Sequence, residues 1–245
     1  MSTITQAMIL AAGKGTRLRP LTLETPKPLV EVGGQPLIVW HIKALKAAGI
    51  TDITINASWL ADKLVAALGD GAHYGVRLHW SIEEMPLETA GGIFQALQTG
   101  KLRDAPFILV NSDVWTTYDF SQLINYKLGS DQMAHLLLID NPEHNRAGDF
   151  ALDNGLASEN ALDTATDTAD KYTFAGISVM SPRLLDGLVV GEPAPLAPLL
   201  KQAMLKRQVT AEVIGDHWVD VGTPERLAQV NDYIKSQDIS THRGA

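Results

Sequence analysis

Short apolar runs alternate with longer amphipathic stretches over roughly the first 140 residues. Five of these runs, Ala7–Ala11, Asp52–Asn56, Val76–Ser81, Phe107–Asn111 and His135–Asp140, are apolar enough for burial on both faces. That predicts strands of a mainly parallel sheet joined by crossover helices. The clearest helix spans Pro36 to Ala48, where Leu37, Trp40, His41, Ala44 and Leu45 recur at three- and four-residue spacing. Pro36 suits its first turn, and Gly49 lies just past its end. His41 falls on the apolar stripe and is expected to be a packed core residue without chemistry. After about residue 140 the texture changes to shorter β-like runs near Asp149–Leu152, Tyr172–Met180, Val209–Ile214 and His217–Val221, mixed with helices at Pro195–Lys206 and Pro224–Lys235. The Ala/Asp/Thr-rich stretch Ala157–Asp170 reads as an exposed, mobile loop, and the polar tail from Ser236 as frayed. The expected fold class is α/β: a Rossmann-like, mainly parallel sheet with flanking helices, followed by a smaller α+β lobe.

Composition narrows the function. Of 245 residues, 45% are apolar and 20% charged, which is an ordinary globular balance and excludes wholesale disorder. A net charge of −8 counts against a surface for nucleic acid or anionic lipid. The absence of cysteine removes disulfides, thiolate metal sites and cysteine nucleophiles. The first apolar run, Ala7 to Ala12, is too short to span a bilayer, and no Lys or Arg precedes it. A cytoplasmic protein with small-molecule substrates and neither nucleic-acid nor membrane partners is expected, as a monomer or small homo-oligomer.

The most informative segment is Leu10-Ala-Ala-Gly-Lys-Gly-Thr-Arg-Leu-Arg-Pro, directly after the first predicted strand. Small residues there let the chain turn sharply and bring backbone N–H groups towards a phosphate. A dinucleotide fingerprint would need glycine where Leu18 stands, and the Gly-Lys-Ser/Thr ending of a Walker A loop is missing too. Further on, Pro26-Lys27-Pro28 sets a lysine between two prolines that restrict its reach. Arg17 and Lys27 could meet one polyphosphate; taken singly, each segment could equally be a turn carrying solvated cations. Asp113 follows the run Phe107–Asn111, and Asp220 ends the run His217–Val221. Two aspartates at strand ends offer hard oxygen ligands for a divalent metal, in the crevice that open α/β sheets form at their carboxyl edge. Each could also be a cap or turn residue, and for Asp220 that reading is serious because Thr223 already suits the N-cap of the helix starting at Pro224.

Gly13-Lys14-Gly15-Thr16-Arg17, with Pro20, Thr22 and Pro26-Lys27, resembles the signature of the sugar-1-phosphate nucleotidyltransferases. The likeness continues at Pro86-Leu87-Glu88-Thr89-Ala90-Gly91-Gly92, at Val110-Asn111-Ser112-Asp113 and at Trp218-Val219-Asp220-Val221-Gly222-Thr223. Within that family, Leu87–Phe94, Val110–Trp115, Asp140-Asn141-Pro142, Gly148-Asp149-Phe150, Phe174–Val179 and His217–Thr223 are most similar to the bacterial N-acetylmuramate α-1-phosphate uridylyltransferases. Glu88 stands where most relatives carry glycine, and Asp170-Lys171 lacks the proline of the family's Glu-Lys-Pro element.

The resemblance implies a GT-A-like nucleotidyltransferase domain over residues 1–237, its nucleotide-binding part about 1–115 and its sugar-binding part about 116–237, with a frayed tail at 238–245. It implies UTP and a sugar 1-phosphate as substrates, Mg²⁺ as cofactor, and transfer to the sugar phosphate as the sole reaction; glucose-1-phosphate thymidylyl or uridylyl transfer, mannose-1-phosphate guanylyl transfer and a non-catalytic nucleotide-sugar-binding regulator are the alternatives. Arg17, Lys27, Asp113 and Asp220 would be catalytic, with Asp113 and Asp220 holding the metal. Ala12, Gly13, Gly15, Thr16, Arg17, Lys27, Pro86, Leu87, Thr89, Gly91 and Asn111 would bind nucleotide, and Asn111, Gly148, Asp149 and Gly176 the sugar. A muramate acceptor carries a lactyl carboxylate, for which Arg146 is the expected cation. Lys171 is either a substitute for the family lysine or a solvated residue.

Overall fold

The computed structural model describes residues 3–159 and 171–242, with side chains to residue 237. Each run expected as a strand becomes one, with no end moved by more than one residue. These are β1 (Gln6–Leu10), β4 (Asp52–Ala57), β5 (Arg77–Ile82), β6 (Phe107–Asn111), β8 (Ala134–Ile139), β9 (Phe150–Asp153), β11 (Lys171–Met180), β12 (Val209–Val213) and β13 (Trp218–Asp220). Short strands β2 (Glu31–Val32), β3 (Gln35–Pro36), β7 (Val114–Thr116) and β10 (Leu156–Ser158) complete the described set. The helices are α1 (Leu37–Ala47), α2 (Ala61–Leu68), α3 (Glu88–Gln98), α4 (Ser121–Ile124), α5 (Leu196–Leu205) and α6 (Pro224–His242).

Nine strands form one sheet in the order β5-β4-β1-β6-β11-β8-β12-β10-β9. The first four pair in parallel, as their unbroken apolar character requires, because helices cover both faces. β11 then enters antiparallel to both β6 and β8, so the sheet is mixed and runs through both halves of the chain. One apolar cluster lies on the face that packs α1 and α2, built on Ile9, Ile38, Ile42, Ile53, Ile55 and Leu64. Another lies on the face that packs α3 and α5, built on Met8, Ile93, Phe107, Leu109, Leu136 and Leu200. A small third cluster, Val32, Leu37, Trp115, Val219, Val221 and Val230, joins β2, α6 and the two-stranded β7–β13 ribbon. Burying a valine such as Val230, fully enclosed here, contributes roughly 1.5–3 kcal/mol.

Two expectations about irregular chain are corrected. The backbone of α6 continues through residues 236–242, and 243–245 lie outside the described residues. Ala157 and Ser158, expected at the start of an exposed loop, are buried in β10. They pair with Leu152 and Ala151 of β9, which removes their backbone from solvent. Residues 160–170 of that stretch lie outside the described residues.

His41 is the core residue its place on the stripe implies: it is buried, and its Nε2 donates to the Val114 carbonyl at 2.6 Å. Burial lowers its pKa from 6.5 to about 4, outweighing the Val114 hydrogen bond and the nearby Asp113 charge. The unfolded chain therefore takes up this proton first as pH falls. The stability contribution of neutral His41 is complete above pH 6.5 and is lost as pH falls towards 4. The expected loss is about 3 kcal/mol. Burial also lowers the pKa values of His135 and His217, whereas Glu83 is raised and opposes them. The test is accordingly a difference: urea unfolding of wild type and His41→Gln at pH 7 and pH 4, with the variant losing less stability. Equal losses would remove His41 as the cause.

Candidate functional site

The segment after β1 runs out of the carboxyl edge of the sheet. Ala11, Ala12 and Gly13 line a cavity of about 310 Å³ with Lys27, Pro86, Thr89, Asn111 and Asp113. Gly15 has φ +59, and a Cβ there would lie 3.0 Å from both the Lys27 Cβ and the Thr22 Cγ2. Glycine thus lets the loop cross directly over Lys27. The Thr22 hydroxyl donates to the Gly15 carbonyl at 2.7 Å and closes the turn. Thr16 and Arg17 follow in a single 3₁₀ turn, with the Arg17 side chain reaching out towards Asp220 at 3.9 Å.

Asp113 occupies the turn between β6 and β7, and β7 pairs antiparallel with β13 so that Asp220 is opposite Val114. The Val221 amide donates to the Asp113 carbonyl at 2.8 Å, which locks the two strand ends side by side. Lys27, whose side chain is only 10% exposed, projects between them: Nζ is 2.7 Å from Asp113 Oδ2 and 4.0 Å from Asp220 Oδ1. On its other side, Asp220 Oδ2 is 3.3 Å from Arg226 Nη2 and 3.7 Å from His144 Nε2. Those residues line a separate cavity of about 580 Å³ with Arg17 and Trp218. Burial, with help from Arg226 and Arg17, lowers the His144 pKa against the pull of Asp220. Thr223 caps α6 through the Arg226 amide at 3.4 Å, so Asp220 is free of the capping task.

A cavity of about 650 Å³ adjoins the first, sharing Glu88, Thr89 and Asn111 with it. Gly148, Asp149, Lys171 and Lys201 line it. Gly176 lies against the Asn111 side chain, where a Cβ would come within 2.9 Å of Nδ2. The Asp149 carboxylate is engaged by the Phe174 amide at 2.9 Å and Asn145 Nδ2 at 3.1 Å, so it shapes the wall.

Gly15, Thr16, Leu87, Gly91, Arg146 and Gly176 are expected contacts that line neither of these two cavities, and Arg17 and Asp220 line the one beside His144 and Trp218 instead. Leu87 is buried, its amide donating to Glu83 Oε2 and its carbonyl accepting from Ala194. Gly91 faces away from the first cavity, where a Cβ would meet the Glu192 carbonyl at 2.7 Å; its glycine serves that packing. Arg146 lines neither the first cavity nor the adjoining one, and Lys171 and Lys201 are the cations on the latter's wall.

Asn56 and Glu83 were missed by sequence reasoning. Asn56 Oδ1 accepts from the Ala11 amide at 2.9 Å, and Asn56 Nδ2 donates to Glu83 Oε1 at 2.6 Å. With the bond from Leu87, this buried chain ties the loop after β1 to the lip formed by residues 86–89. Burial raises the Glu83 pKa, although both hydrogen bonds favour its ionised form. The available signal was position, since both residues stand at the carboxyl ends of parallel strands, where the crevice opens.

The nucleotidyl transferase family profile matches residues 6–157. The chain belongs to this family. This nucleotidyltransferase is 44% identical over 227 residues to the N-acetylmuramate alpha-1-phosphate uridylyltransferase of Neisseria meningitidis serogroup B, covering 91% of this chain and 96% of that one. It is 32% identical to the mannose-1-phosphate guanyltransferase of Candida albicans, covering 90% of this chain and 62% of that one. Solved structures share the fold. A Bacillus anthracis protein assigned as a glucose-1-phosphate thymidylyltransferase superposes with TM-score 0.78 at 21% identity, over 94% of this chain and 95% of that one. HddC from Yersinia pseudotuberculosis superposes with TM-score 0.73 at 21% identity, over 94% and 99%. The chain is thus a sugar-1-phosphate nucleotidyltransferase with a GT-A-like fold.

Enzymes of this family generally use a divalent metal, and the residues present fit one. Asp220 Oδ1 is buried without a hydrogen-bond partner, beside a carboxylate held at a neighbouring strand end. An unsatisfied buried carboxylate oxygen is costly unless a cation completes it. Among the described residues no group of three or more His, Asp or Glu side chains gathers for a metal, so two aspartates would leave positions for phosphate oxygens and water. No helix among the described residues is long and apolar enough to cross a membrane.

Proposed function

We propose that the enzyme transfers UMP from UTP to N-acetylmuramic acid α-1-phosphate, giving UDP-N-acetylmuramic acid and pyrophosphate in cytoplasmic peptidoglycan recycling. The observation that carries this reading is the 44% identity to the meningococcal uridylyltransferase over 96% of its length, against 32% to a guanyltransferase. Lys171 on the wall of the second cavity supports it further, because the acceptor's lactyl carboxylate favours a nearby cation; Lys201 on the same wall is engaged by Glu159.

In this reading UTP takes the first cavity and the sugar phosphate the second, meeting at Asn111 and Asp113. An oxygen of the sugar phosphate attacks the α-phosphorus in line; a P–O bond forms, the bond to pyrophosphate breaks, and its electrons leave with pyrophosphate. The attacking phosphate is already ionised near neutral pH, so no general base is required. Catalysis then consists of positioning and charge stabilisation. The amides of the Gly13–Thr16 loop and the Arg17 guanidinium hold the departing phosphates, and Lys27 neutralises charge building at the α-phosphate. Asp113 and Asp220 would hold Mg²⁺, which when bound supplies charge neutralisation at the phosphates. The domain division follows: residues before about 115 serve the nucleotide and those after serve the sugar.

The test is pyrophosphate release from purified protein with Mg²⁺ across UTP, GTP and dTTP, each offered N-acetylmuramate, N-acetylglucosamine, glucose and mannose 1-phosphate. Selective turnover of UTP with the muramate compound is expected. Selective turnover of GTP with mannose 1-phosphate would replace the substrates while keeping the site. Tight nucleotide-sugar binding with no turnover would replace the enzyme reading by a regulatory one.

A further inference from the structure

Glu88 opens α3 with φ +58, in the left-handed region where glycine is the unstrained residue. Four described non-glycine residues have positive φ, and of these Glu88 alone lines the first two cavities. Its side chain is exposed and makes no hydrogen bond or ion pair among the described residues. The fold therefore holds a strained glutamate at the mouth of a nucleotide site and draws no contact from its carboxylate in return.

We propose that Glu88 is a specificity-determining residue whose carboxylate accepts hydrogen bonds from the 2′- and 3′-hydroxyls of the nucleotide's ribose. The enzyme would then select ribonucleotides over deoxyribonucleotides. The inference rests on the nucleotide occupying the first cavity, as proposed above. An unpaired carboxylate repels the triphosphate, so its use there is to accept from neutral donors. A vicinal diol presents two such donors to its two oxygens. The acceptor sugar suits it less: C2 and C3 of N-acetylmuramate are substituted, so its free hydroxyls do not form a vicinal diol. Pro86 and Thr89, on either side of Glu88 in the chain, line the same cavity and place the carboxylate at its rim.

The experiment compares kcat/KM for UTP and dUTP at saturating sugar phosphate in wild type, Glu88→Gly and Glu88→Gln, together with their thermal midpoints. Wild type is expected to prefer UTP at least about tenfold, the worth of one charge-assisted hydrogen bond. Glu88→Gly should bring the ratio to within about twofold of unity by slowing UTP, with Glu88→Gln between. Its Tm should hold or rise, because glycine relieves the left-handed backbone. An unchanged ratio in Glu88→Gly overturns the proposal, as does an altered KM for the sugar phosphate at constant ratio, which would move the contact to the acceptor. A Tm lower by several degrees in Glu88→Gly overturns it too, by assigning the side chain to the fold. The ribo/deoxy ratio can be read with whichever base and sugar the enzyme turns over, so rejection of UTP or of the muramate acceptor counts against the substrate assignment alone.

Discussion

Lys27→Ala is expected to lower kcat for pyrophosphate release by about 10²–10³, the usual cost of one donor aimed at developing charge. The geometry explains why no neighbour substitutes. Nζ is 2.7 Å from Asp113 and 4.0 Å from Asp220, Pro26 and Pro28 restrict the backbone, and Gly15 passes directly over the lysine stem. Arg17 and Arg226 are on the far side of Asp220 and lack this approach. Loss of the ammonium also leaves two carboxylates facing each other across the site. The Tm of the variant should fall in metal-free buffer and recover on addition of Mg²⁺, because a cation bound to the folded state restores the missing charge. Turnover within about threefold of wild type would remove Lys27 from the chemistry. A fall in Tm that Mg²⁺ leaves unchanged would remove the aspartate pair as the cation site.

The second large effect belongs to that pair. Asp113→Asn is expected to reduce metal-dependent turnover most, by at least about 10²-fold, and to raise the Mg²⁺ concentration at half-maximal rate. Asp220→Asn should share both defects and add a third. Asp220 is the counter-charge for Arg226, whose side chain is only 13% exposed, and it also faces Arg17. The amide leaves a largely buried guanidinium without a carboxylate, so Tm should fall by several degrees; the fall in Asp113→Asn should be smaller, because the buried Lys27 keeps the Asp220 carboxylate at 4.0 Å. Kinetic titration with Mg²⁺, together with thermal melts of both variants, separates the roles. A half-saturating Mg²⁺ concentration unchanged in both would show that the metal is held elsewhere.

Glycine spacing, the flanking prolines of Lys27 and the order of apolar runs were enough to identify the loop after β1, the parallel strands and the family. These are local signals: a left-handed glycine, a proline-restricted lysine and a strand buried on both faces each leave a mark within a few residues. Leu87 and Gly91 show the limit. They belong to the same segment as Pro86 and Thr89, yet Leu87 turns inward to Glu83 and Gly91 packs on Glu192. Which side of a short turn faces a cavity depends on what packs behind it, and in this lip that is a distant stretch of chain.

The buried chain from Ala11 through Asn56 and Glu83 to Leu87 was illegible for the same reason, since its members come from three separate segments. The entry of β11 antiparallel between β6 and β8 likewise depends on pairing across the whole sheet. By itself, the sequence determined the longer strands, the core role of His41, the small-residue loop after β1 and the residue types that could hold a cation. Only the tertiary structure decided that Asp113 and Asp220 stand side by side, 107 positions apart in the numbering but joined by the Val221–Asp113 hydrogen bond, with Lys27 between them. Side-chain type and backbone preference are written locally, whereas the distance between two strand ends is set by a register that long-range burial and pairing select.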